Sequence, residues 1–312
     1  MPDLHPQIQR VLQVMDEAKL KPIEAMTPAE AREQMEATAQ GRKAEPLPVD
    51  RVEEGLVSGP AGDIRLRLYW PDKAAPLPAI VYYHGGGHVI GSLDTHDLVA
   101  RNLCAGAEAL VVSVDYRMGP EHRFPAAVED SFAALKWVHA NAKDHGADPN
   151  RIGVHGDSAG ANLAAVVALL ARDAGSPRLR LQSLVYPITD YGLSGDSYAR
   201  YARGYGILTQ EAMVWFRDHY LRAPEDANDW RASPIKAPSL DGVAPAIVIT
   251  AECDVLHDDG QRYAEALHRA GAPVDYREYP GMIHAFFGMV PAVDDAMNAQ
   301  RAVWAAFKRA FA

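Results

Sequence analysis

Cysteine is almost absent: Cys104 and Cys253 are the only two in 312 residues. Two thiols cannot build a disulfide framework, and neither has neighbours that would ligate a metal or stabilise a thiolate. A reducing compartment is therefore expected, and with it a cytoplasmic location. Long apolar runs are absent as well, the longest being the nine residues Leu163 to Ala171, far short of a membrane span. The opening residues Met1-Pro2-Asp3-Leu4-His5-Pro6-Gln7 carry neither a basic nor an apolar leader region. No membrane partner is expected. Basic excess is also lacking, since the formal net charge is −10, which argues against a phosphate backbone as partner. No internal repeat or low-complexity tract occurs. A chain of this length suits one α/β domain with a small accessory cap.

What the sequence does contain is a serine at the centre of Gly156-Asp157-Ser158-Ala159-Gly160, after the strand-like Arg151–His155 and before the helical Ala161–Ala171. The pentapeptide alone is weak, because glycine and serine are common. Its strand-turn-helix setting gives it meaning, since a serine on such an elbow projects from the carboxyl end of a strand. A helix that begins there aims its free N–H groups at the point where an oxyanion would form. The apolar run Ala79–Tyr83 ends in a second motif, His84-Gly85-Gly86-Gly87. Consecutive glycines let backbone N–H groups converge, and the expected oxyanion donors are Gly85, Gly86 and Ala159.

Hydrophobic periodicity predicts two helices within residues 5–40, the second opened by a Thr27-Pro28-Ala29-Glu30 capping box. Strands are predicted at 51–58, 64–69, 79–83, 110–114, 151–155, 181–186, 245–250 and 274–279. Helices fall near 96–108, 125–144, 158–173, 259–270 and 293–310. After an opening antiparallel pair this alternation means a mostly parallel sheet of about eight strands flanked by helices. The interval 190–240 breaks the rhythm with one short helix at Thr209–Leu221. The expected organisation is cap helices over 1–47, core over 48–189, an inserted cap segment over 190–240 and core again over 241–312. Such a cap would cover the carboxyl edge of the sheet, where open α/β folds bind ligands.

A serine nucleophile requires a base and a carboxylate to orient it. The loop after strand 245–250 holds Glu252, Asp254, Asp258 and Asp259. Asp254 lies in the loop proper, whereas Asp258 and Asp259 read as acids that complement a helix N-terminus. His284, after the strand that begins at Val274 and the turn Pro280-Gly281, comes off the same sheet edge as Ser158. Its rivals are His257 and His268, the latter on an amphipathic helix. His84 and His88 have the spacing of a zincin pair, but three glycines between them rule out the helix that such a pair needs. No metal and no organic cofactor is expected.

With these residues in view the chain resembles the bacterial hormone-sensitive-lipase-like esterases, family IV of the α/β hydrolases. The likeness spans roughly 48–310 and rests on His84–Gly87, Asp115–Ala127, Gly156–Gly160, Asp254–Asp258 and His284-Ala285-Phe286. It implies an α/β-hydrolase fold with a helical cap, a Ser158, Asp254, His284 triad, and a homodimer formed through the edge strand near the C-terminus. The stretch around Glu121-His122 and Phe124-Pro125 reads as structural. Two departures stand out: His88 follows the glycines where an aromatic is usual, and Ala285 replaces a glycine.

The expected function is a serine carboxylesterase that cleaves small and medium acyl esters through an acyl-enzyme. The pocket is expected to draw on His88, Asp157, Tyr186, Tyr205, Ile207, Leu208 and Trp215, narrowed from above by Tyr198, Tyr201 and Phe216. The same residues would serve amide or carbamate hydrolysis. A receptor on this fold would be expected to lack a triad member.

Overall fold

The computed structural model describes residues 4–41, 44–203, 205 and 207–312. The helices α1 (Pro6–Glu17) and α2 (Pro28–Gln40) precede all strands. The capping box forms, with Thr27 Oγ1 accepting from Glu30 N and Glu30 returning the bond to Thr27 N. Eight strands follow: β1 (Arg51–Gly59), β2 (Gly62–Trp70), β3 (Leu77–Tyr83), β4 (Leu110–Asp115), β5 (Ala147–Asp157), β6 (Leu179–Val185), β7 (Ala246–Cys253) and β8 (Val274–Ile283). They form one sheet in the order β1-β2-β4-β3-β5-β6-β7-β8. Only the β1–β2 and β2–β4 pairings are antiparallel.

Burial follows position. The central β3, Leu77-Pro78-Ala79-Ile80-Val81-Tyr82-Tyr83, is buried almost throughout, as a strand covered on both faces must be. The outer β1 alternates and leaves Leu56 69% exposed. The helices α3 (Asp97–Ala107) and α9 (Asp294–Phe311) pack together, as do α4 (Ala126–Asn141) and α5 (Ala159–Ala174), while α8 (His257–Arg269) lies on β7 and β8. Within 190–240 the chain forms α6 (Asp196–Arg200) and α7 (Gln210–Tyr220). Trp215 Nε1 on α7 donates to Met26 O at 3.1 Å and so ties the inserted segment to the N-terminal one.

The predicted strands and helices all form, with two boundary differences that matter. β8 does not turn off at Pro280-Gly281 but runs on to Ile283, pairing with Cys253 past an irregularity in β7. Proline is tolerated there because β8 is an edge strand, and Gly281 N donates to Glu252 Oε2 at 2.7 Å instead of to a ladder partner. The helix after the acid loop starts at His257, two residues earlier than expected. No helix among the described residues is long and apolar enough to cross a membrane.

Candidate active site

Ser158 stands between the last residue of β5 and the first of α5, with φ 55° and ψ −119°. A non-glycine residue holds that conformation only when its surroundings impose it. Here they do: a Cβ on Gly156 would run into the Gly160 carbonyl, and one on Gly160 into the Tyr83 carbonyl, so only glycines let α5 start so close to both β5 and the end of β3. Ser158 N is fixed by Val185 O at 2.8 Å.

The ends of β7 and β8 bring the other groups to the same edge. Asp254 follows β7, its Oδ1 accepting from Leu256 N at 3.0 Å, and His284 follows β8. His284 Nδ1 lies 2.6 Å from Asp254 Oδ2 and Nε2 lies 2.9 Å from Ser158 Oγ. Asp254 is 2% exposed and His284 8%. A proton on Nδ1, donated to the buried carboxylate, leaves Nε2 to accept the serine hydroxyl proton. The neighbouring carboxylates are engaged elsewhere. Glu252 holds Gly281, Asp258 accepts from Ser197 N at 3.0 Å, and Asp259 Oδ2 accepts from Thr189 N and Asp190 N at 2.8 and 3.0 Å. Asp258 and Asp259 do occupy the first turn of α8, but their specific partners correct the reading of them as mere helix-end acids. His257 bonds Glu278 at 2.6 Å and Asp258 at 3.1 Å, carboxylates that raise its pKa against the effect of burial. His268 lies in the last turn of α8.

Ser158 and His284 bound a cavity of about 200 Å³. Of the residues expected around it, Asp157, Tyr186, Ile207 and Leu208 stand on its wall. His88, Tyr205 and Trp215 do not. The left-handed backbone at His88 (φ 59°) places its ring against Tyr220 at 3.9 Å, with Nδ1 2.8 Å from the Tyr191 hydroxyl, fully buried. Burial pushes its pKa down to about 3, so it stays neutral. Trp215 misses because successive helical residues point about 100° apart. Phe216 and Met213 share the cavity face of α7, and Trp215 faces Met26. Tyr205 lies beside Tyr201, ring centroids 6.4 Å apart. Sequence reasoning missed Ile23 and Met35 from the N-terminal segment and Thr95, His96 and Val99 around the start of α3, all on the wall. None sits in a motif or a marked apolar stripe.

The glycine loop also departs from expectation. Gly86, Gly87 and Ala159 bound the cavity, whereas Gly85 lies against the Asp157 carboxylate. Burial pushes Asp157 upward in pKa, opposed by the Tyr82 hydroxyl at 2.9 Å and the Gly85 N–H. Of the three expected donors, Gly86 and Ala159 thus bound the cavity and Gly85 does not, while Gly87 joins them on its wall. The amides of Gly86, Gly87 and Ala159 have no acceptor among the described residues. His84 Nδ1 meets Gly85 O at 2.7 Å while its ring stacks on Tyr116, which leaves it a packing role. No group of three or more His, Cys, Asp or Glu among the described residues is placed to hold a metal ion. A larger open cleft of about 930 Å³, walled by Arg172, Arg180, Asp275 and Arg309, lies at the opposite, amino end of β6 to β8, away from Ser158.

A family model described as the alpha/beta hydrolase fold matches residues 80–288. The chain is 42% identical to carboxylesterase NlhH of Mycobacterium tuberculosis, over 99% of this chain and 97% of that one. It is 36% identical to an ethyl acetate hydrolase of Pseudomonas putida, covering 95% and 94%. A solved structure of a hyperthermophilic esterase from the archaeon Pyrobaculum calidifontis superposes with a TM-score of 0.93 at 42% identity, covering 99% of each chain.

Proposed function

Because the chain belongs to the α/β-hydrolase-fold family, in its hormone-sensitive-lipase-like branch, and is a carboxylic ester hydrolase, we propose that it works as a serine esterase through an acyl-enzyme. One observation carries the reading: a continuous Ser158, His284, Asp254 hydrogen-bonded chain opens onto a cavity. His284 Nε2 takes the Ser158 proton as Oγ attacks the ester carbonyl. The amides of Gly86, Gly87 and Ala159 hold the negative oxygen, and the imidazolium, stabilised by Asp254, returns its proton to the departing alcohol. Water then attacks the acyl-enzyme by the same steps, releasing the acid and restoring Ser158.

The size and lining of the cavity point to small substrates. At about 200 Å³ it falls below the range of drug-sized pockets, and its walls are mainly apolar, with Ile90, Val99, Ile188, Leu208, Met213 and Phe216. Short and medium acyl esters fit such a space, in keeping with a relative that hydrolyses ethyl acetate. The test is an acyl-length series of p-nitrophenyl esters together with Ser158→Ala and labelling by an organophosphonate. We expect a covalent mass increase on Ser158 alone and a loss of at least ~10³-fold in turnover for the alanine variant. Undiminished turnover by folded Ser158→Ala would overturn the mechanism.

A further inference from the structure

Arg32, on cap helix α2, reaches across to the glycine loop. Its Nε donates to Val89 O at 2.8 Å, Nη2 donates to Gly119 O at 2.7 Å, and the fork Nη1/Nη2 holds Glu121 at 2.9 and 2.7 Å. Ile90 N donates in turn to Gly86 O at 2.9 Å, joined by Val89 N at 3.0 Å. A planar trans peptide carries its C=O and N–H in opposite directions. The Val89–Ile90 peptide therefore passes the bond from Arg32 onward, and the Gly86–Gly87 peptide, held by its carbonyl, directs the Gly87 N–H the other way. Gly87 has no acceptor within the described residues and bounds the cavity at Ser158.

We propose that Arg32 is a positioning residue of the oxyanion site. Its guanidinium heads a chain of hydrogen bonds through two peptide units that aims and polarises the Gly87 N–H toward the developing negative oxygen. Each donor in such a chain is strengthened by the one behind it, and a cation at the head favours an anion at the tail. Glu121 orients Arg32 and lies outside the chain. A second bond from α2, Ser92 Oγ to Glu36 Oε1 at 2.6 Å, holds the same helix to the segment after the loop. The N-terminal cap thus supplies part of the catalytic geometry as well as a wall of the cavity. This inference rests on the serine-esterase reading, and the two fail separately: Ser158→Ala tests that reading and Arg32 variants test this one.

The experiment measures kcat, KM and the affinity for an alkyl trifluoromethyl ketone, which forms a tetrahedral oxyanion on a nucleophilic serine, in wild type, Arg32→Met, Arg32→Lys and Glu121→Gln. Arg32→Met is expected to lower kcat and ketone affinity in parallel by about tenfold or more with KM within about twofold. Arg32→Lys, which keeps the charge but not the fork, should fall between it and wild type, and it stands in if the methionine variant does not fold. Glu121→Gln should lose thermal stability but keep kcat within about threefold. Unchanged kcat in folded Arg32 variants would overturn the proposal, as would equal kcat losses in Glu121→Gln, which would make Arg32 an ordinary latch.

Discussion

Single residues carry the chemistry in this site, and the carboxylates of one loop divide cleanly by what each touches. Only Asp254 reaches His284, so replacing it with asparagine leaves an amide that favours the wrong imidazole tautomer. Asp254→Asn is expected to lower kcat by ~10³-fold or more with KM little changed. Glu252→Gln, which keeps an oxygen to accept from Gly281 N, should stay within about tenfold of wild type. Steady-state kinetics on one p-nitrophenyl ester decide this, and an active Asp254→Asn with a silent Glu252→Gln would reverse the assignment. His88 illustrates the opposite case. Its position beside the glycine loop suggests a pocket residue, yet its ring is buried between Tyr191 and Tyr220. His88→Phe should therefore leave the acyl-length profile unaltered while lowering the melting temperature, because the Tyr191 hydroxyl loses its partner. A shifted profile would place His88 back on the cavity.

Among the elements, α7 sets how far the cavity extends. Met213 and Phe216 face inward, and the Phe216 ring covers Gly87, while Trp215 faces Met26. Phe216→Ala should open space above the serine, and since each newly buried methylene is worth about 0.8 kcal/mol, kcat/KM for octanoate relative to acetate should rise about fourfold per added methylene that the new space accepts. Trp215→Phe should cost stability and leave the ratio alone. An acyl-length series on both variants checks this, and an unshifted ratio in Phe216→Ala would mean that another element limits chain length. The same elements mark what was legible in advance. Periodicity located every strand and major helix, because buried parallel strands such as β3 read as unbroken apolar runs, and chain order located Ser158, Asp254 and His284, because each ends a strand at one sheet edge. The cavity wall was not legible in the same way. Whether Trp215 or Phe216 faces inward depends on how α7 is rotated about its axis, and whether Gly85 or Gly87 bounds the cavity depends on how the loop settles beside the Asp157 carboxylate. Both are set by tertiary packing that leaves no local signal.

For the molecule as a whole, Asp259 couples the cap to the core. It sits fully buried at the start of α8 and binds the backbone of Thr189 and Asp190, the segment that leads from β6 into the inserted cap. Arg262 at 3.3 Å is the nearest cation, and Asp190 itself pairs with Lys236 at 2.8 Å. Burial pushes the Asp259 pKa from 3.8 up to about 7, against the two backbone bonds and Arg262. A carboxyl that holds its proton more tightly when folded gives a fold that binds more protons than the unfolded chain between these values, so its contribution falls as pH rises from about 4 to about 7. Glu121 has the opposite sign. Its bonds with Arg32 hold it at about 2, so its contribution is full above the unfolded value of 4.5 and is lost as pH falls toward 2. His84, His88 and His155, which burial holds at about 4, 3 and 3, act against Asp259 below the free-histidine value of 6.5, so the part played by Asp259 is read as the difference between wild type and a variant. Asp259→Asn keeps an acceptor for the two backbone amides and removes the titration, so the melting temperature of the variant relative to that of wild type should rise from pH 5 to about 7. Above about pH 7, where Asp259 is ionised in the folded and the unfolded chain alike, the difference should stay level. Parallel melting curves across that range would mean that Asp259 is already ionised in the folded protein and that the pH dependence arises elsewhere.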